Sequence, residues 1–196
     1  MGPRAVAIFA LLLVSACGGG PGGGSGGGGI SSYGLQSSDV PSGFTSCSIS
    51  GDVATSSDKD IQGEWSYQQK QGATAGYIQV YAATSGDCQS IVSSGPGSQN
   101  GGSKKLIASV VLQFKDAASA QKGASGSFGI GTSGLKSAGG AAGSSVGLGS
   151  DSEYLYSSAA GGAAWDKGVY MAGVVEQNLK ESDLKKAISA VNGRLP

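Results

Sequence analysis

The chain has 196 residues with 13 basic and 13 acidic side chains, no His, and 37 Gly, Ser being almost as frequent. Gly and Ser together make up roughly 36% of it, above the roughly 25–30% that signals low complexity, yet 39% hydrophobic residues at zero formal net charge are not the composition of a disordered chain. The lysines are scattered apart from Lys104-Lys105 and Lys185-Lys186, which excludes nucleic acid as an expected partner, and the absence of His removes Ser-His-Asp and Cys-His catalysis and the commonest metal ligand.

Arg4 precedes an uninterrupted apolar run from Ala5 to Val14, followed by Ser15, Ala16 and Cys17, the n-region, h-region and cleavage site of a secretory signal. The run is too short to span a bilayer. Val14-Ser15-Ala16-Cys17 resembles the lipobox of bacterial lipoproteins, an aliphatic residue and two small ones before the cysteine. The resemblance covers only the signal peptide, residues 1–16, and Cys17. It implies a diacylglyceryl thioether on Cys17, cleavage after Ala16, and acylation of the new amino group with a fatty acid such as palmitate. Two acyl chains give stable anchoring where one does not, at roughly 0.8 kcal/mol per buried methylene. The lipid bilayer is then a partner through acylated Cys17, and the domain faces the extracellular side or the periplasm. Gly18 is not the Asp associated with inner-membrane retention, which leaves the outer membrane open as a destination in a two-membrane host. The alternative is ordinary secretion with Cys17 as a late residue of the apolar run.

Residues 18–29 hold ten Gly, one Pro and one Ser, a flexible tether with a root-mean-square span of about 20 Å. The tether is expected to extend over 17–38, with a single extracytoplasmic domain over 39–196 that begins in earnest near Pro41-Ser42-Gly43-Phe44. Two further cysteines, Cys47 and Cys88, are expected to form a disulfide in a compartment where thiols oxidise. Free or metal-binding thiols are the alternative, but two thiols without His or a carboxylate cluster make no closed zinc site, and no metal or cofactor is expected.

Within the domain the patterning predicts strands over Glu64 to Gln68, Tyr77 to Ala82 and Ile107 to Phe114, with a long hairpin loop at Gly95 to Gly102 carrying Asn100-Gly101. Asp116 is placed to cap a helix with the face Ala117, Ala120, Ala124 and Phe128. The stretch 129–150 holds eight Gly and no clear element, which suggests a functional lid, a disordered insert or a missed strand. Strands follow at Tyr154 to Tyr156, Ala163 to Trp165 and Val169 to Val175. A final helix has Ser182 as cap, Leu184, Ala187, Ile188, Val191 and Leu195 on one face, and Gly193 as its stop. Val110-Val111-Leu112-Gln113 and Val174-Val175-Glu176-Gln177 each precede a helix, an echo that hints at two β-β-α units. The expected fold is α+β, a two-layer sandwich with a mainly antiparallel sheet and two helices on one face.

Several local patterns mimic catalytic or binding motifs. Gly129-x-Gly131-x-x-Gly134 has the letters of the dinucleotide fingerprint without its strand-turn-helix context. Gly143-Ser144-Ser145-Val146-Gly147 has those of the nucleophile elbow without a histidine to serve Ser145. A Ser-Lys dyad survives without His, and S-x-x-K spacing occurs at Ser56/Lys59, Ser119/Lys122, Ser133/Lys136 and Ser182/Lys185, about as often as chance supplies it. Asp58-x-Asp60-x-Gln62-Gly63 matches the first half of a calcium loop, but Gln69 stands where a bidentate Glu is needed. Asp151, Glu153 and Glu176 are candidates for a glycosidase pair.

Three aromatic pairs with strand-like same-face spacing, Trp65 with Tyr67, Tyr77 with Tyr81, and Tyr154 with Tyr156, either fill the core or form a ligand-facing platform for a glycan or peptide. The whole reading is a membrane-anchored lipoprotein, not an enzyme, acting as a binding, sensory or envelope-associated module with a glycan, peptide or protein ligand. A histidine-free Ser-Lys hydrolase and a ligand-free structural surface protein are the alternatives.

Overall fold

The computed structural model describes residues 29–88, 104–126 and 131–196. The lipobox, most of the Gly-rich tether, the Asn100-Gly101 loop and Phe128 therefore lie outside the described residues.

Eight strands form one sheet: β1 (Thr45–Ser46), β2 (Gly51–Asp52), β3 (Ala73–Ala82), β4 (Leu106–Phe114), β5 (Ala141–Ala142), β6 (Glu153–Tyr156), β7 (Ala160–Lys167) and β8 (Tyr170–Gln177). Every pairing is antiparallel, and the order runs β1 and β2 side by side along β3, then β4, β8, β7, β6 and β5. Four helices lie wholly within the described residues: α1 (Lys59–Lys70), α2 (Ala117–Ala124), α3 (Thr132–Ser137) and α4 (Glu181–Arg194). The α+β class and the mainly antiparallel sheet are those the sequence predicts.

The helices do not share one face. Side chains alternate across a strand, and on β4 and β8 the two parities enter separate cores. Val110, Leu112, Phe114, Met171 and Val175 pack with Trp65 of α1 and with Ala120 and Ala124 of α2. Ile107, Val111, Ala172 and Val174 pack instead with Leu184, Ala187, Ile188 and Val191 of α4. The sheet is thus sandwiched between α1 and α2 on one side and α4 on the other, a third layer beyond the two expected. The two β-β-α units exist in connectivity, and β4 pairs with β8 at the sheet centre. Their helices nevertheless leave toward opposite faces, so no rotation about the sheet normal relates them.

The largest correction falls on residues 58–70. Trp65 and Tyr67 are two apart, which reads as strand alternation, but they sit on α1 about 200° apart around the axis. Ile61, Trp65 and Gln68, at i, i+4 and i+7, form its buried side, while Tyr67 is 46% exposed. Asp58 is the helix cap and not a turn residue: its carboxylate accepts from the amides of Asp60 and Ile61, both at 3.0 Å. Asp58→Ala is expected to cost about 1 kcal/mol of stability, measured by urea denaturation.

The opaque stretch 129–150 contains α3, β5 and a 3-10 turn over Gly143–Val146. Gly139 takes φ +91° just past α3 and the Gly140 amide donates back to Leu135 O at 2.8 Å, a glycine helix stop. Leu135, the one large apolar side chain of α3, is buried. At the C-terminus, α4 starts one residue before Ser182, with Lys180 as the cap residue, and runs through Gly193. The Lys167 ammonium donates to the carbonyls of Asn192 and Leu195, so the last turn is satisfied from the sheet and Gly193 does not end it.

Packing also begins earlier than Asp39. Leu35, placed in the tether by composition, is 1% exposed in the α4-side core, and its amide donates to Ser109 Oγ at 3.0 Å. Arg194 donates to Gly34 O and pairs with Asp39, Lys186 donates to Ser38 O, and the Tyr33 and Tyr170 rings meet edge to face. Residues 30–44 are a strap lying on the sheet beside α4. On the opposite edge of the chain's path, Cys47 and Cys88 form the expected disulfide, joining the β1–β2 connection to the segment after β3.

Candidate functional site

A group of interacting polar side chains around the buried Glu176 lies where β8 hands over to α4. Val174 and Glu176 have the same parity on β8, so an apolar position one step from the strand end is succeeded by a carboxylate on the α4-facing side. Glu176 is 0% exposed. Its Oε2 accepts from the Leu179 amide at 2.9 Å, and its Oε1 has no hydrogen-bond partner among the described residues.

Its cross-strand neighbours are Ile107 on β4 and Gly161 on β7. Gly161 is required by this packing: a Cβ there would fall 2.8 Å from Glu176 Oε1, 2.7 Å from Leu184 Cδ2 and 3.0 Å from Leu155 O. Burial pushes the Glu176 carboxyl up to about 7, opposed by the Leu179 amide and assisted by the charge of Asp183.

The turn that brings α4 over this carboxylate is locked by Asn178, the single non-Gly residue at positive φ (55°) among the described residues. Its amide donates to Ala159 O at 3.0 Å, and its Nδ2 donates to Lys104 O at 2.7 Å. From β6, Tyr156 donates to Leu179 O at 3.1 Å, and Tyr154 donates to Glu181 Oε1 at 2.9 Å. Lys185 pairs with the same Glu181 oxygen at 3.0 Å. Burial, then the bond to Glu181, drives the Tyr154 phenol well above its ordinary range, while the Lys185 and Tyr154 donors hold Glu181 below the usual carboxylate range. The joint therefore contains two tyrosines, a buried acid and an exposed Glu–Lys pair. It has the makings of a proton-sensitive contact and lacks a nucleophile with an adjacent base.

The six aromatics are not gathered into one platform. Trp65, Tyr81 and Tyr154 are buried, Tyr77 and Tyr156 are half-buried, and Tyr67 projects from α1. Trp65 belongs to one core, whereas Tyr81 and Tyr154 belong to the other. The lysines of all four S-x-x-K spacings, Lys59, Lys122, Lys136 and Lys185, are exposed, so none has the desolvated setting that makes a lysine a base.

Ser145 sits in a 3-10 turn with its hydroxyl donating to Ala142 O, not on a strand-to-helix elbow. Gly131 and Gly134 flank and enter the short α3, and Gly129 lies outside the described residues. Glu153 and Glu176 point to opposite sides of the sheet, since Glu153 pairs with Ala164 and Glu176 with Gly161. Asp151 accepts from Gln121 of α2, on the side away from Glu176, and with burial it raises the nearby Asp166 carboxyl. No glycosidase pair is assembled from these three.

Among the described residues no cluster of three or more His, Cys, Asp or Glu could hold a metal ion, and no helix is long and apolar enough to cross a membrane. Sequence reasoning places Glu176 among candidate acids but misses its burial. The readable signal is a lone carboxylate at an inward position of an apolar strand, facing the Gly161-Gly162 pair of a neighbouring strand. No protein-family model matches the chain, and neither curated proteins nor solved structures give a match.

Proposed function

We propose that this chain is a membrane-anchored bacterial lipoprotein whose extracytoplasmic α+β domain acts as a non-catalytic binding, sensory or envelope-associated module. The observation that carries this reading is Val14-Ser15-Ala16-Cys17 at the end of an Arg4-headed apolar run, followed by the Gly-rich stretch 18–29. The Cys47–Cys88 disulfide supports it, because such a bond persists in oxidising compartments and its formation leaves Cys17 as the one cysteine available for lipid. The non-catalytic part is supported by the exposed setting of the S-x-x-K lysines and the outward Ser145 turn. The partner is a bilayer through acylated Cys17, with a glycan, peptide or protein ligand on the domain.

Expression of the full chain in a bacterial host with a palmitate analogue should label the wild type and leave it in the membrane fraction. Cys17→Ser should lose the label and the membrane association together. The intact mature mass should place lipid on an N-terminal Cys17. An unmodified mature chain starting at any other residue overturns the reading.

A further inference from the structure

We propose that Glu176 is a proton-operated latch on the joint between β8 and α4, closed when the carboxyl is protonated and released when it ionises. The geometry carries the inference. A carboxylate of zero exposure, with one oxygen unpartnered among the described residues, is tolerable as a neutral acid and costly as an anion. The space beside it is closed by Leu184 and by the bare backbone of Gly161, so an ionised Glu176 gains hydration only by moving out, which displaces the first turn of α4.

The groups facing Glu176 offer no rescue. On β4 and β7 its neighbours are Ile107 and Gly161. Tyr154 and Tyr156 stand on β6, and the Tyr154 phenol is itself driven up in part by the charge of Glu176. On α4, Asp183 repels an ionised Glu176, and Glu181 is engaged by Tyr154 and Lys185. No basic group contributes to the Glu176 shift, and the Leu179 amide, its one donor among the described residues, is outweighed by burial.

The sign follows. The unfolded carboxyl ionises near 4.5 and the folded one near 7, so between these values the folded state binds more protons than the unfolded one. The closed joint is therefore most stable below about 4.5, weakens as pH rises through the window, and levels off above about 7. The same residues that the shift stabilises are those holding the latch: Leu179 through its amide, Tyr156 through Leu179 O, and Tyr154 through Glu181.

The test uses the domain with its disulfide intact. Carbon-detected NMR of side-chain carboxyls should show Glu176 titrating near 7 in the folded protein. Amide exchange at Leu179 and Leu184, corrected for intrinsic rate, should lose at least about tenfold in protection between about pH 5 and about pH 8, the loss falling mostly below about 7 and levelling off above it. Glu176→Gln, which keeps shape and removes the charge, should make the protection independent of pH. The proposal is overturned if Glu176 titrates near 4.5 in the folded chain, if protection stays flat through its titration, or if Glu176→Gln retains the wild-type profile. Should Glu176→Gln fail to fold, the two wild-type measurements decide the matter alone.

Discussion

Replacing Cys47 and Cys88 together by Ala is expected to lower the unfolding free energy by about 4 kcal/mol, the loop-closure entropy that a bond across 41 residues removes from the unfolded chain. That is a large part of the roughly 5–15 kcal/mol by which domains are stable. The loss should be felt locally as well. β1 and β2 are two residues each, so the edge of β3 is held by few ladder bonds: Thr45 and Ser46 opposite Ala82 and Tyr81, Gly51 and Asp52 opposite Ile78 and Tyr77.

Between those strands the chain is pinned by the Cys47 amide on Val80 O and by Ser50 Oγ, which accepts from the Val80 amide. Cys47 is buried in the core with Val53 and Val80, and the disulfide fixes it there. Urea denaturation followed by fluorescence of Trp65 and Trp165 should give the same midpoint for the double variant and for the reduced wild type. Both should fall well below the oxidised wild type. A difference under about 1 kcal/mol would mean that the native edge is held without the bond.

The parts of this fold that the sequence discloses are those in which one residue type repeats at one period over enough length. β3 and β4 alternate or run apolar for nine or ten residues, and α4 carries Leu184, Ala187, Ile188 and Val191 at helical spacing. α1 escapes because Ile61 and Trp65 are the only large apolar residues on its buried side, so the Trp65/Tyr67 alternation is the strongest local signal although Gln68 fills the third buried position. Composition hides α3 for the same reason, since Leu135 alone is its anchor.

The layering is a matter of parity at strand exits. Phe114 leads through Asp116 to the α1 side, whereas Glu176 leads through the left-handed Asn178 to the other, and no local pattern of charge or hydropathy encodes that choice. The candidate joint is legible only in outline. Tyr154, Tyr156 and Glu176 stand out as residue types, but their meeting depends on the register of two successive hairpins, which sets β6 and β8 on either side of β7 with these three side chains on one face.

Leu35→Ala should cost about 3 kcal/mol, the usual loss for a fully buried leucine, and this separates a packed strap from a tether. Were residues up to 38 merely a linker, the substitution would fall within the roughly 0.5 kcal/mol of a surface change. Leu35 anchors the strap's apolar side in the α4-side core, to which Ile107 and Val111 also belong. Its amide also satisfies Ser109, a buried hydroxyl on the inward face of β4, so loosening the strap leaves that hydroxyl without this donor.

Ser37→Ala, one turn away and exposed, is the internal control and should be silent. Limited proteolysis gives a second readout: in the Leu35 variant, cleavage in the part of the strap before Asp39 should accelerate ahead of global unfolding, because Val40 and the Arg194–Asp39 pair still hold its later half while Tyr33 and Gly34 are left with rim contacts. With Leu35 seated, the strap enters the domain at Ile30 on the face that carries α4 and is tied to the sheet centre through Ser109, so with Leu35 removed that entry point is no longer set by the sheet.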